Sequence, residues 1–364
     1  MNNDRIQEIL DLMEEARLDY FLISDPQSIA YCTGYYNDPH ERMFVFMVSK
    51  HGNHTLFMND LFYLEHDLGV NIVWHKDGQD AIQTIVNEMH FPGRIGIDKN
   101  WASHFLLDLM KKLPNAKYIN ASPCVDLVRM KKDLQEQVLM IESSKINDAV
   151  MEEIIPFIQE GVSEKQLAKK LDELFFNHHS TCYGAIVAFG KNAADPHHEN
   201  DDTLLRKGNC VLIDMGCVYK GYCSDMTRTF FYGGIREDEM KVYEIVKKAN
   251  EAAEAMIKPG VKLSDIDKCA RKVISDEGYG QYFTHRLGHF IGRDVHEYGD
   301  VSSVNDMEVE EGMIFSIEPG VYLEGDFGVR VEDLVMVTQD GCQVLNSFTK
   351  DIYIIYTSES SFFV

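Results

Sequence analysis

What this chain has little of narrows it first. Lys and Arg together number 35 against 59 Asp and Glu, a formal charge of −24, and such a balance argues against nucleic acid or an anionic membrane surface as a partner. Eight cysteines occur among 364 residues without a CxxC pair or a small-domain framework. That excludes a disulfide-stapled scaffold and leaves Cys210, Cys217 and Cys223, inside or beside β-prone runs, as buried reduced thiols. No apolar run approaches the length of a membrane span, and the start MNNDRIQEILDLMEEARLDY lacks the basic opening and continuous apolar core of a signal peptide. The expectation is a cytoplasmic protein with no membrane partner. Haem, iron–sulfur and dinucleotide signatures are missing too, as are internal repeats and low-complexity segments.

What is present suits about two domains of ordinary size, with a hydrophobic fraction of 45% that fits packed globular cores. Ile6, Ile9, Leu10, Met13 and Ala16 form one helical stripe. Short apolar β-prone runs follow at Tyr20–Ile23, Met43–Val48, Thr55–Met58, Val70–Trp74, Ile95–Ile97 and Tyr118–Ile119, alternating with helices expected near 60–67, 79–90 and 101–112. This alternation predicts an α/β unit. Ala121-Ser122-Pro123-Cys124 marks a boundary, giving domains 1–123 and 124–364. Helices are expected over 134–157, 163–177, 236–257 and 263–278, the last opened by Ser264 and Asp267 in a capping-box-like start.

Two hairpins in the second domain carry the chemistry. Cys210–Ile213 turns through Tyr219-Lys220-Gly221-Tyr222 and returns through Thr227–Phe231. A turn centred between Tyr219 and Lys220 sets Asp214 directly opposite Asp225. Phe315–Tyr322 and Gly328–Val335 join through Glu324-Gly325-Asp326, and a turn centred on Gly325 sets Glu318 opposite Glu332. Cross-strand partners have Cβ atoms about 5 Å apart, where like charges destabilise, so a cation is expected between each pair. His285, His289 and His296 lie between the hairpins among glycines, which places at least one imidazole with the four carboxylates. An oxygen-rich set of this kind suits two divalent ions such as Mn²⁺, with Co²⁺ or Zn²⁺ as alternatives. A metal pair of that sort generates a hydroxide nucleophile and polarises a carbonyl or phosphoryl oxygen. The residues alone therefore point to a dinuclear metallohydrolase.

At this point the motifs IDMGCVYKGYCSDMTRTF from Ile213, GHFIGRDVHE from Gly288, IEPGVY from Ile317 and VRVED from Val329 resemble the pita-bread metallopeptidases. That family includes methionine aminopeptidase, aminopeptidase P, prolidase and the metal-free creatinase, and the resemblance spans essentially the whole chain. It implies a small N-terminal creatinase-like α/β domain and a C-terminal pita-bread domain with an antiparallel curved sheet and flanking helices. It implies Asp214 on one metal, His289 and Glu318 on the second, and Asp225 and Glu332 as bridges. Glu318 would also shuttle the proton during attack by a metal-bridging hydroxide. His197 and His296 would contact substrate and stabilise the tetrahedral intermediate, and Arg330 would orient the carboxylates at the substrate site.

With all five ligands present, the resemblance is to active members rather than to creatinase or non-catalytic binding proteins. The N-terminal domain narrows it to prolidase or aminopeptidase P. Phe290, where many members have glycine, resembles prolidases. Arg293 offers a cation for the proline carboxylate of an Xaa-Pro dipeptide. The charged loop Asn37–Arg42, with His40, is expected to reach the site of a partner subunit in a homodimer and to limit substrate length. Aminopeptidase P acting on Xaa-Pro-Yaa peptides and a peptide-binding module that keeps its metals for structure are the alternatives.

Overall fold

The computed structural model describes residues 1–90, 92–356 and 362–363, and divides into two compact units, Met1–Arg129 and Met130–Val364. In the first unit a six-stranded mixed sheet is built from β1 (Tyr20–Ile23), β2 (Val45–Ser49), β3 (Thr55–Asn59), β4 (Asn71–His75), β5 (Arg94–Ile97) and β6 (Lys117–Asn120) in the order β4-β3-β2-β1-β5-β6. Side chains alternate across a strand, so β1 feeds both faces. Phe21 and Ile23 pack with Ile6, Ile9 and Met13 of α1 (Asn3–Glu15), and Tyr20 and Leu22 pack with Ile82 and Ile85 of α3 (Ala81–Glu88) and Leu109 of α4 (Ser103–Lys112). Two further helices, α2 (Pro26–Thr33) and α5 (Pro123–Met130), complete the unit.

The helix expected near 60–67 is absent. Asn59 Oδ1 accepts from Leu61 N–H at 3.0 Å and Asp67 Oδ1 from Gly69 N–H at 2.8 Å, so side-chain acceptors hold these residues in Asx turns instead of a helical ladder.

Among the described residues the second unit carries four α-helices, α6 (Leu134–Ile154), α7 (Glu164–Asn177), α8 (Glu237–Met256) and α9 (Leu263–Asp276). Its strands are β7 (Thr181–Cys182), β8 (Ile186–Phe189), β9 (Cys210–Met215), β10 (Cys217–Tyr219), β11 (Tyr222–Cys223), β12 (Met226–Tyr232), β13 (Gly288–His289), β14 (Asp300–Val301), β15 (Ile314–Ile317), β16 (Gly320–Leu323), β17 (Phe327–Arg330), β18 (Asp333–Val337), β19 (Cys342–Val344), β20 (Tyr353–Ile355) and β21 (Phe362–Phe363). Pairings are antiparallel except β12 with β20. Capping boxes at Asp133/Glu136 and Ser163/Gln166 open α6 and α7. Ser264 and Asp267 form no such box, because α9 starts at Leu263. Ser264 Oγ bonds Asp306, and Asp267 is drawn to Arg271 and the Leu287 N–H.

Alternation again decides what faces the site. Val211, Ile213, Phe230 and Tyr232 pack into a core with Val150 and Met151 of α6 and Leu167, Leu171 and Phe175 of α7. Asp214 and Thr227, one residue out of step, therefore project from the opposite face of β9 and β12. No helix among the described residues is long and apolar enough to cross a membrane, and all eight cysteines are free.

Candidate metal centre

The first hairpin turns one residue later than expected, which shifts each cross-strand partner by two. Lys220 and Gly221 both have positive φ, 48° and 83°, a two-residue turn of the twist-matched primed kind, with Tyr219 opposite Tyr222. Asp214 consequently pairs with Thr227, not with Asp225. The ladder breaks just beyond, at Gly216. A Cβ there would lie 2.0 Å from both the Ser224 carbonyl and the Tyr183 hydroxyl, so only glycine admits the crossing. The slip is an even number of residues, so parity is kept, and Asp225 shares a cavity with Asp214.

The second hairpin keeps the expected register. Gly320 pairs with Arg330 and Ile317 with Asp333, which brackets Glu318 opposite Glu332. At that point the ladder is interrupted and the backbone finds partners in other elements. Glu318 N–H donates to the Leu287 carbonyl at 2.8 Å, and Glu332 N–H to that of Thr227 at 3.1 Å.

Asp214, Asp225, His289, Glu318 and Glu332 thus line one cavity of about 650 Å³, together with His197, His296 and Arg330. Ligand atoms of Asp225, His289 and Glu332 lie within 4.8 Å of one another. His289 Nε2 stands 3.6 Å from Asp225 Oδ2 and 3.6 Å from Glu318 Oε1, too far for hydrogen bonds. Its Nδ1 faces the Phe290 carbonyl at 3.2 Å, which can only accept, so Nδ1 carries the proton and the neutral ring turns a lone pair toward carboxylates that also only accept. A cation between them removes the conflict, and the donor set fits divalent ions.

The electrostatics agree. Burial, and then repulsion from Asp225 and its neighbours, pushes the Glu332 carboxyl well above its ordinary value. Burial likewise lifts Glu318 to about 7 and raises Asp214 against the pull of Arg330. Burial works against a charged His289, yet Asp225 and Glu318 raise it. In each case the site lacks positive charge.

Arg330 supplies part of that charge from within the fold. Its Nη2 donates to Asp214 Oδ2 at 2.6 Å, its Nε to Thr227 Oγ1 at 3.0 Å and its Nη1 to the Tyr322 hydroxyl at 3.0 Å. Thr227 Oγ1 in turn donates to Glu332 Oε2 at 2.6 Å, so Arg330 reaches Glu332 through a threonine. Ser316 Oγ donates to Glu318 Oε1 at 3.1 Å and accepts from His289 N–H at 2.9 Å. Thr227, Ser316, Tyr183 and Tyr322 are site residues that sequence reading passed over. Threonine and serine sit two residues from another ligand on the same face, which is the signal that could have found them.

The His296 ring meets that of His289 edge-on at 4.2 Å, and burial, then its neighbours His289 and Arg286, lower it to about 4. His197 is carried by the 195–201 loop, which the buried Glu164 anchors. Glu164 accepts from Phe189 N–H, Asn192 Nδ2, His198 Nε2 and Asp201 N–H at 2.7–3.1 Å. The grouping of Glu164, His198 and Asp201 is thereby a loop anchor, its carboxylate oxygens already taken by donors.

Three other residues are not among those that line the cavity. Arg293 is not among the cavity's lining; its guanidinium sits 5.4 Å over the Tyr222 ring and packs beside Gly221. Phe290 is buried against Phe315, ring centres 5.3 Å apart. His40 belongs to the first unit, exposed in its loop with Nδ1 3.9 Å from Asp38.

The metallopeptidase family M24 model matches residues 138–339, and the creatinase/prolidase N-terminal domain model matches residues 5–131. An uncharacterized peptidase of Staphylococcus aureus (strain bovine RF122 / ET3-1) is 34% identical over 355 residues, which span 95% of this chain and 99% of that protein. Among solved structures, a dipeptidase from Pyrococcus horikoshii OT3 is 34% identical with a TM-score of 0.89, covering 96% of this chain and 99% of that one. A prolidase from Thermococcus sibiricus is 31% identical with a TM-score of 0.92, covering 97% and 99%. This chain belongs to the metallopeptidase family M24, with an N-terminal domain of the creatinase/prolidase type.

Proposed function

We propose that the protein is an Xaa-Pro dipeptidase that works with two divalent ions, Mn²⁺ first and Co²⁺ or Zn²⁺ as substitutes, as a cytoplasmic homodimer. The observation that carries the metal part is the lone pair of His289 facing the Asp225 and Glu318 carboxylates 3.6 Å away inside a shared cavity. Dipeptide and prolyl specificity are supported by the names of the solved relatives.

Asp214, Asp225, His289, Glu318 and Glu332 would hold the ions. When bound, these supply a nucleophilic water at neutral pH and Lewis-acid polarisation of the scissile carbonyl. The remaining work falls to side chains. Glu318, steadied at Oε1 by Ser316, accepts a proton from the attacking water and passes it to the departing prolyl nitrogen. His296, held neutral by its surroundings, offers an N–H to the developing oxyanion. His197, on the Glu164-anchored loop, contacts substrate from another wall. Arg330 pulls against the burial that raises Asp214 and aims its carboxylate.

The test is release of the first residue from an Xaa-Pro dipeptide, with Mn²⁺ and after chelation. Turnover should vanish on chelation and in Asp225→Asn, and Glu318→Gln should lower kcat by about 10²–10⁴-fold. Turnover that survives chelation refutes the scheme. Faster cleavage of an Xaa-Pro-Yaa tripeptide than of the dipeptide moves the reading to aminopeptidase P, and ion binding without hydrolysis makes the protein a binder.

A further inference from the structure

An asparagine is out of place on the buried face of α8. Val242, Ile245, Val246, Ala249 and Ala253 make that face largely apolar, yet Asn250 lies among them fully buried. Asparagine is a poor residue for a helix interior, and a buried amide costs free energy unless its polar atoms are bonded. What Asn250 bonds lies outside its own helix.

Its partners are backbone carbonyls beside two of the site carboxylates. Asn250 Nδ2 donates to the Ile317 carbonyl at 2.8 Å and approaches the Val331 carbonyl at 3.5 Å. Ile317 precedes Glu318, and Val331 precedes Glu332. Pro319 accounts for the second contact. Val331 N–H donates to the Pro319 carbonyl at 3.4 Å, and residues paired in this way across an antiparallel ladder normally exchange two bonds. Proline has no N–H to return, which leaves the Val331 carbonyl short of its ladder donor. The amide of Asn250 stands in for it.

That amide can face only one way. Lys350 Nζ donates to Asn250 Oδ1 at 2.6 Å, and because an ammonium only donates and a carbonyl only accepts, Oδ1 must take the lysine and Nδ2 the carbonyls. Lys350 also pairs at 2.7 Å with Glu254, one turn further along α8, and at 2.7 Å with Asp333. Asp333 follows Glu332 and is the ladder partner of Ile317. Thus α8 grips both strands just ahead of their carboxylates, and Lys350 fixes the gripping amide.

We propose that Asn250 is a positioning residue that sets the separation of the Glu318 and Glu332 carboxylates by supplying the hydrogen bond that Pro319 cannot make. The proposal rests on the two-ion reading above, since that separation matters to function only if both carboxylates hold ions. Asn250 is not among the residues that line the cavity, so it acts through the two strands and not on substrate. A side chain of similar size without a donor leaves both carbonyls unbonded and frees the strand ends to move apart.

The test uses Asn250→Leu, Asn250→Asp and, as a control for lost stability, Val242→Ala, which trims an equally buried side chain of the same helix that makes none of these bonds. Asn250→Asp keeps the shape and the Lys350 pairing but turns an oxygen toward the carbonyls, so it serves if the leucine variant does not fold. Mn²⁺ binding is followed by calorimetry, and the loaded proteins by electron paramagnetic resonance, in which two neighbouring Mn²⁺ ions give an exchange-coupled spectrum. Both Asn250 variants should hold the weaker ion about 10–100-fold less tightly and show altered coupling at saturating Mn²⁺, with kcat falling and KM little changed. Val242→Ala should unfold at lower temperature but keep the wild-type affinities and spectrum. Unchanged affinity and coupling in a folded Asn250 variant overturns the proposal. So does the same change in Val242→Ala, which would make it a general loosening of the fold, although the two-ion reading then still stands. A wild type that binds a single ion, or shows no coupling, removes that reading and the proposal with it.

Discussion

Glu318→Gln should make the metal-free protein more stable, and more so as pH rises. Burial and the neighbouring carboxylates lift Glu318 from an ordinary 4.5 to about 7. A carboxyl whose folded pKa is raised keeps its proton in the native state after the unfolded chain has lost its own. Its contribution is therefore whole below pH 4.5 and is lost as pH climbs through 7. At 1.36 kcal/mol per unit, the loss is about 1 kcal/mol at pH 5 and about 3 kcal/mol at pH 8. Glutamine keeps the shape and the acceptor for Ser316 Oγ but never ionises. For a unit spanning Met130–Val364, about 3 kcal/mol corresponds to roughly 6–12 °C in Tm. The assay is thermal unfolding of chelated wild type and variant between pH 5 and 8. Taking the difference cancels the general repulsion of a chain at −24, which both proteins share. Adding Mn²⁺ should reverse the order, because bound ions stabilise whichever protein holds them more tightly. A chelated variant no more stable than wild type at pH 8 would refute the electrostatic reading of the site.

Other substitutions test the supports. Thr227→Val removes the hydroxyl joining Arg330 to Glu332 and should weaken metal affinity about 10–100-fold, measured by competition with a chromogenic chelator. Gly328→Ala would place a Cβ 1.8 Å from the Ala193 carbonyl, at the turn leading to His197. The expected cost is about 1–3 kcal/mol by urea denaturation, with KM rising beyond what instability explains. Arg228→Met strips a fully buried guanidinium from Asp333 and from the carbonyls of Thr227 and Glu332. It should cost about 3–5 kcal/mol, read as a lower Tm of the second unit.

Much of this was legible in the sequence because its signals are local. Apolar β-prone runs located the strands, a charged entry located α6, and glycine marked the hairpin turns. What failed was competition between local signals. Asn59 and Asp67 turned an apolar run away from helix, and α2 went unread although Asp25, Pro26 and Gly34 supply its cap, first turn and stop. The first hairpin slipped because the turn belongs to Lys220 and Gly221, both left-handed, and glycine fits the second of those positions, not the third. Arg286 lines the cavity while Arg293 turns onto Tyr222, and proximity in sequence to His289 and His296 does not say which way a guanidinium turns.

The ladder breaks explain why paired carboxylates survive where a continuous sheet would reject them. Asp225, Glu318 and Glu332 all sit where strand pairing lapses, beside Gly216 in one hairpin and Pro319 in the other. Proline has no N–H to offer the ladder, and the glycine lets chains cross without a side chain. The freed N–H groups of Glu318 and Glu332 bond elements outside their own hairpin, Leu287 and Thr227, so each break is also a tie. Thr227 lies at the join, taking Glu332 through its backbone carbonyl and its hydroxyl while pairing with Asp214 across the strand. Loosening one hairpin must then displace ligands of both, and metal affinity should fall cooperatively when Thr227→Val and Gly328→Ala are combined. Strictly additive losses would mean that the hairpins hold their carboxylates independently.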